Sequence, residues 1–315
     1  MIWVFRRLAI SVLLIWVVAS IVFLAIHLVP GDPAELLLSQ GGTAPDPAIV
    51  EDLREQLGLN KPLLTQYGEH MWRLLHLDLG RSMQDDSPVS AEIARRLPRT
   101  LELIGAAALM AVVIGIPLGT AAAMRRGGVF DRVSSAIASL ALAVPIFVVG
   151  TLMVMLFAQI LRWVPAGGFT PFARDPVQHL QLLAMPATAI GIGLSAVMFR
   201  MTRAAVLDVM LRDYVRTARA KGVAHRRILV RHVVRTALMP VITVLALYLG
   251  TLLGGTVLVE FVFNWPGLSG LLVSAVNARD YPEVVGIVLV ISVLFVGLNF
   301  AVDIVYGLLD PRVRR

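Results

Sequence analysis

Apolar residues in this chain fall into long blocks separated by short polar segments. A helix needs about 20 apolar residues to cross a bilayer. Six stretches meet that length: Leu8–Val29, Leu101–Met124, Ser135–Leu161, Leu180–Phe199, Met239–Val262 and Val284–Leu308. The pattern predicts an all-α, polytopic membrane protein with six transmembrane helices. The first block has the look of a signal peptide. Its 22 residues exceed a typical signal core of about 7–15, and Val29-Pro30 replaces the small residues of a cleavage site. An uncut first span is expected. Pro117, Pro145 and Pro186 lie inside or near the starts of blocks. Membrane helices tolerate such prolines where neighbours re-satisfy the freed carbonyls. Packing kinks and gating hinges are both open readings.

The segment between blocks one and two carries helical patterning of its own. Pro47 to Leu57 reads as a short helix capped by Asp46 and stopped by Gly58. KPLLTQYGEHMWRLLHLDLG places Leu64, Tyr67, Met71, Leu74 and Leu75 at helical spacing, which predicts one apolar face. Asp86-Ser87-Pro88 opens another helix, with Ser87 as the expected cap and Pro88 in the first position. A helical cap on the bundle and a surface for an external partner both suit this segment.

Charge orients the spans. Arg6 and Arg7, the Arg125–Arg132 loop, the Arg200–Arg235 loop and the C-terminal arginines hold 18 of the 28 Lys and Arg residues. The opposite side holds 10, and seven of those share residues 30–99 with 11 acids. The positive-inside rule predicts both termini in the cytoplasm. The same rule accounts for the net charge of +7 without a nucleic-acid partner. A composition 57% hydrophobic and 16% charged supports the membrane class.

Several chemistries are excluded or unsupported. The chain has no cysteine, so disulfides and thiolate sites are absent. Its two lysines follow Asn60 and Ala220, so neither completes a phosphate-binding Gly-Lys-Ser/Thr loop. The six histidines form no paired motif of metal-ligand spacing, and no metal site is expected. Glu102 and Glu260 fall near outer ends of spans, and Asp303 falls about a turn from the inner end of the last. Interfacial anchoring or helix pairing suits all three. A proton-coupled carrier would be expected to carry carboxylates nearer mid-membrane. Energy is therefore expected from outside the chain, and the chain itself is not expected to be an enzyme.

The basic stretch RTARAKGVAHRRILVRHVVRTALMP, Arg216–Pro240, interrupts the apolar pattern. Asp213 to Lys221 predicts a short helix stopped by Gly222. A second helix is expected from Ala224 toward Ala237, with Ile228, Val230, Val234 and Leu238 making its apolar contacts. Lipid headgroups, nucleic acid and a docking protein are candidate partners for so much positive charge. The small Ala218–Gly222 corner favours a docking protein, because small residues let a partner approach closely.

At this stretch the chain resembles the permeases of the dipeptide/oligopeptide/nickel branch of ABC importers. DYVRTARAKG matches that branch's version of the Glu-Ala-Ala loop, with Arg216-Thr217-Ala218 in place of Glu-Ala-Ala, Gly222 as its glycine and Leu238-Met239-Pro240 as its ending. The resemblance extends through VPGDPAELL, LGLNKPLLTQY, LDLGRSM, RLPRTLEL, VEFVFNWPGLSGLLVSAVNARDYP and the final DPRVRR. It identifies the subunit that carries a long external segment after span one.

The resemblance implies the type I ABC-importer permease fold. It divides the chain into a first span and external segment (1–93), a five-helix transmembrane domain (94–309, with a coupling loop at 200–238) and a tail (310–315). It implies half of a translocation path, working by alternating access in the cell inner membrane. The implied partners are a homologous second permease, two ABC ATP-binding subunits and an extracytoplasmic substrate-binding protein. ATP and Mg would be held by the ATP-binding subunits, and this chain would carry no cofactor. Arg216, Thr217, Ala218, Arg219, Lys221 and Gly222 are the expected coupling residues. Pro266 is expected to open a short helix in a re-entrant outer loop, where Asn264, Trp265, Pro266, Gly267 and Asp280 are candidate contacts for substrate or the binding protein. A packed outer cap is the other reading of those five. The branch implies di- or oligopeptides as substrate; nickel chelates, glutathione, opines and oligosaccharides are alternatives. A stand-alone secondary transporter or a membrane-anchored scaffold is the reading from a different class.

Overall fold

The computed structural model describes residues 2–28, 35, 46–56 and 60–309. The Gly58 stop, most of VPGDPAELL and the 310–315 tail lie outside the described residues. Those described are helical apart from turns and one isolated antiparallel bridge between Arg81 and Pro88. The helices are α1 (Ile2–Leu28), α2 (Pro47–Gln56), α3 (Leu63–Leu75), α4 (Val89–Met124), α5 (Val129–Ala143) and α6 (Ile146–Ile160). They continue as α7 (Pro176–Met210), α8 (Asp213–Ala220), α9 (His225–Gly255), α10 (Val257–Val262), α11 (Leu268–Asn277) and α12 (Tyr281–Leu309).

Among the described residues five helices, α1, α4, α7, α9 and α12, are each long and apolar enough to span a membrane. The expected single helix over Ser135–Leu161 is instead two, α5 and α6, bent by 95° at their junction, the geometry of a broken span or a re-entrant loop. The cause is local. Val144 takes φ −89° and ψ 124°, the extended geometry that a following proline imposes, and Pro145 then starts α6. Pro117 and Pro186 lie inside unbroken α4 and α7. The span expected to run from Met239 to Val262 ends at Gly255, and α10 follows as a separate turn.

The chain divides into two units: Met1–Pro98 with Gly270–Phe300, and Arg99–Ser269 with Ala301–Arg315. In the second unit α7 is the central element. Of its most apolar window, 78% is buried, against 28% for the corresponding windows of α4 and α9. Small residues make that burial possible. A Cβ at Gly115 would sit 2.6 Å from the Met198 Cβ, and one at Gly119 would sit 2.5 Å from the Phe199 carbonyl oxygen. Gly115 and Gly119 form a Gly-x-x-x-Gly stripe on α4 that brings its backbone against α7. Lipid offers no hydrophobic drive between helices, so close backbone packing of this kind supplies the attraction.

In the first unit, Asp46 caps α2 as expected: its carboxylate accepts from the Ala48 N–H at 2.9 Å. The cap expected at Ser87 does not form. Pro88 is the residue whose carbonyl starts α4, accepting from Ala91 and Glu92, and the Ser87 N–H bonds the Asp85 carboxylate at 3.0 Å. On α3, Met71 and Leu74 pack with Ala19, Val22, Val285 and Leu289. Leu64 and Leu75 do not join them; they are 84% and 77% exposed.

His70 shares that packed face, 5.5 Å from the Phe23 ring, and its Nε2 is buried without a hydrogen-bond partner. Burial first, then the charges of Arg73 and His27, holds its imidazole below the usual range. The unfolded segment then binds more protons as pH falls through about 6.5, so packing of α3 weakens in acid and recovers at neutral pH. The protection factors of the α3 amides, that is, exchange corrected for its base-catalysed intrinsic rate, should be lower at pH 5.5 than at 7.5. A His70→Phe variant should lose most of that difference; retention of it would overturn the assignment to His70.

Candidate functional site

The basic stretch begins with α8, a short helix seated where the C-terminal end of α7 meets the start of α9. Val215 of α8 is fully buried, and Ala218 packs partly buried beside it. Their cluster includes Ala123, Val206, Val209, Ile228, Val233 and Ala237. The helix ends in a closed C-cap. The Gly222 N–H donates to the Arg219 carbonyl at 2.9 Å, and the Val223 N–H donates to the Ala218 carbonyl at 3.2 Å. Gly222 has φ +74°, the left-handed geometry this motif needs and glycine adopts without strain.

With Val215 and Ala218 turned inward, the outward face carries Arg216, Thr217, Arg219, Lys221 and Gly222, all exposed. Its ion pairs are local and solvated: Arg212 to Asp208 at 2.9 Å, and Arg216 to Asp213 at 3.9 Å. Exposed pairs contribute roughly 0–1 kcal/mol, so apolar packing is what seats α8. Ala218, partly buried, stands between the outward face and the packed seat. Its small side chain serves the inward seat, since α8 must lie close to the α7 end.

The second helix of the stretch also differs from expectation. It does not stop near Ala237 but runs on to Gly255 as one element, α9, through a π-helical section at Leu229–Val234. The wider turn shifts the buried register to Ile228, Val233 and Ala237. Val230, an expected apolar contact, is 62% exposed.

The outer-loop candidates are mostly occupied within the chain. Trp265 is 2% exposed; its Nε1 donates to the Arg99 carbonyl at 3.1 Å, and its ring stands edge-on to Phe169. Gly267 is buried against Glu260, whose carboxylate occupies the space a Cβ would need. Asp280 is fully buried as the N-terminal cap of α12. It accepts from the Glu283 N–H at 3.2 Å, the Ser82 hydroxyl at 2.5 Å and the Met83 N–H at 3.0 Å. Pro266 is half-buried, and Asn264, at φ +47°, is exposed. The loop's short helix, α11, starts at Leu268, two residues after the expected Pro266. Trp265, Gly267 and Asp280 hold the fold, and their chemistry is used up doing so.

The carboxylates near span ends pair as the anchoring reading expects. The Glu102 carboxylate lies 2.6 Å from His179 Nε2. Glu260 is 2% exposed and accepts from the Thr100 and Thr256 hydroxyls at 3.1 and 2.9 Å. Thr100 also accepts from the Leu268 N–H at 2.7 Å, so these hydroxyls tie α4, α10 and the start of α11 together. Sequence reasoning missed a further pair. Asp131, 3% exposed, meets Arg203 Nε at 2.6 Å and Nη2 at 2.8 Å. Asp131 is the lone acid among the arginines of the α4–α5 loop region, and that contrast was the available signal. Among the described residues, no group of three or more His, Asp and Glu side chains could hold a metal ion.

Comparison with known proteins agrees with this arrangement. Residues 115–315 match the family model described as binding-protein-dependent transport system inner membrane component, and residues 1–104 match that family's N-terminal model. A Brucella abortus (strain 2308) protein named as a peptide transport system permease is 41% identical over 311 residues, covering 99% of this chain and 98% of its own. The glutathione transport system permease GsiC of Salmonella choleraesuis (strain SC-B67) is 40% identical over 312 residues, at 99% and 98% coverage. A chain from inward-facing structures of the MetNI methionine ABC transporter has the same fold. It superposes with a TM-score of 0.56 at 20% identity, covering 71% of this chain and 98% of its own. The bent helix pair and the unbroken spans, the seated basic corner and these full-length likenesses lead to one conclusion: the chain belongs to the family of inner-membrane permease components of binding-protein-dependent ABC importers.

Proposed function

We propose that this chain forms half of a peptide translocation path and couples it to ATP hydrolysis on separate subunits through the outward face of α8. The seat of α8 carries this reading. Val215 and Ala218 fasten a short helix to the α7 and α9 ends, while Arg216, Thr217, Arg219, Lys221 and Gly222 remain exposed. A partner pressing on that face moves α8 with the helix ends it is packed on, because a close-packed core transmits displacement instead of absorbing it. The partners are a second permease, two ATP-binding subunits that hold ATP and Mg, and a substrate-binding protein outside the membrane. The chain needs no cofactor of its own, and both termini face the cytoplasm, where the basic loops lie.

Peptide as substrate rests on the relatives' names. One is named for peptides, and glutathione, named for another, is itself a tripeptide. The test is uptake of a labelled tripeptide into proteoliposomes that hold this chain with the second permease, ATPases and binding protein of the same importer. Accumulation should require ATP and the binding protein, and unlabelled di- and tripeptides should compete. Competition by nickel chelates or oligosaccharides alone would overturn the substrate. Uptake driven by an ion gradient without the ATPases would overturn the coupling.

A further inference from the structure

The helix α3 has a face that its packing leaves unexplained. Successive residues turn by about 100°, which divides α3 into three sectors. Tyr67, His70, Met71 and Leu74 form the packed stripe: the Tyr67 hydroxyl meets the Ser20 hydroxyl at 2.8 Å, His70 stands beside Phe23, and Met71 and Leu74 lie against α1 and α12. On one flank of that stripe lie Thr65, Glu69, Arg73 and His76, all polar and exposed. On the other flank lie Leu64, Gly68, Trp72 and Leu75, where Leu64, Trp72 and Leu75 are 84%, 65% and 77% exposed. Leu77, just past the helix, is 84% exposed with φ +58°. Water would penalise that apolar flank, and among the described residues none covers it.

Two neighbouring spans give the depth of this helix. On α1 the packed stripe meets Ala19, six residues inside the Ala25 end of the apolar span, about 9 Å at 1.5 Å per residue. On α12 it meets Val285 and Leu289, four and eight residues inside the Tyr281 end, about 6 and 12 Å. These contacts put α3 across the apolar end of the spans: Met71 and Leu74 lie against residues inside them, and Gln66 bonds His27, two residues past Ala25, at 3.1 Å. Arg73 reaches the other way. It bonds Asp78 at 3.2 Å and lies beside Gly80, which in turn neighbours Pro282 at the beginning of α12. A basic side chain that climbs to the span end while its helix packs deeper is snorkelling.

We propose that α3 is an interfacial helix lying in the lipid surface, with Leu64, Trp72, Leu75 and Leu77 set among the acyl chains and Glu69, Arg73 and His76 in the headgroup water. The packed stripe, the apolar sector and the charged sector follow one another round the helix, with the Trp72 ring at the border of the last two, 4.5 Å from His76, and an apolar sector beside a charged one lets a helix lie near the membrane plane. Trp72 stands where an amphipathic ring is most stable, at the boundary itself. The segment after span one is thereby anchored to the bilayer as well as to α1 and α12, which fixes the level at which its outer face is presented.

The absence of cysteine gives a direct test, since one introduced thiol takes one nitroxide label. Trp72→Cys, Leu75→Cys, Glu69→Cys and the lipid-facing reference Val12→Cys would be labelled in the full-length chain. Each would be placed in nanodiscs of phosphatidylethanolamine and phosphatidylglycerol, both alone and assembled with the partner subunits. Relaxation by oxygen, which concentrates in lipid, is compared with relaxation by a water-soluble nickel chelate. Labels at 72 and 75 should favour oxygen as the label at 12 does, and the label at 69 should favour the nickel chelate. Preference for the chelate at 72 and 75 would overturn the proposal by showing an aqueous surface. Exclusion of both reagents at those positions in the assembled transporter would overturn it by showing a protein partner on this flank.

Discussion

Gly222→Trp is expected to abolish ATP-dependent uptake while leaving membrane insertion intact. Gly222 is exposed at the C-cap of α8, and a Cβ there would meet nothing within 4 Å. The chain itself therefore has room for a larger side chain, and on the proposed docking a subunit pressed against this corner would not. Strain is the competing cause, because φ +74° costs an L-residue about 1–2 kcal/mol. Gly222→Ala carries the same strain without the bulk and should retain most uptake. Thr217→Trp carries bulk on the same exposed helix without the special backbone and should lose uptake as well. The expected loss for the two Trp variants is about tenfold or more, the scale of coupling free energies of 1–3 kcal/mol. Wild-type uptake by both Trp variants would remove α8 as the docking element. Equal loss in Gly222→Ala would assign the defect to the cap alone.

Asp131→Asn is expected to cost stability more than any exposed charge change. Asp131 is nearly buried, accepts two bonds from Arg203 and takes a third from the Gly127 N–H at 2.9 Å. Removing one partner of a buried pair leaves the other charge uncompensated, at about 3–5 kcal/mol. The Arg203 side chain is 30% exposed, so about 3 kcal/mol is the expected figure. Asp208→Asn breaks the comparable but solvated pair with Arg212 and should cost under about 1 kcal/mol. Thermal unfolding of the purified chain in detergent compares the two. Asp131→Leu combined with Arg203→Leu should recover much of the loss, because it leaves no unpaired charge. Equal transition temperatures for Asp131→Asn and Asp208→Asn would show that the Asp131–Arg203 pair is not structurally important.

Element existence was legible wherever its cause is local. The apolar length of a span, the left-handed requirement at Gly222 and the Asp46 cap are each written within a few residues. Errors arose where a neighbour changed the register or claimed a side chain. The π section at Leu229–Val234 rotated the buried face from Val230 to Val233. Leu75 fell on the helical stripe by spacing, yet α1 and α12 cover only the part of that stripe that includes Met71 and Leu74. The Val144-Pro145 break was readable as a proline, but not as a 95° bend, since Pro117 and Pro186 sit in unbroken helices.

The candidate sites divide along the same line. The membrane class, the lack of a phosphate-binding loop, the basic corner and the family resemblance all followed from residue order alone, because composition and short motifs are properties of neighbours in sequence. Tertiary structure alone decided which residues remain available. Asp280 is consumed by Ser82 and Met83, nearly two hundred positions away, and Trp265 by Arg99. Ala218 turns inward while Arg219 and Lys221 turn out. Burial and hydrogen-bond satisfaction depend on which distant groups the fold brings within a few ångströms, and a linear pattern does not encode that distance.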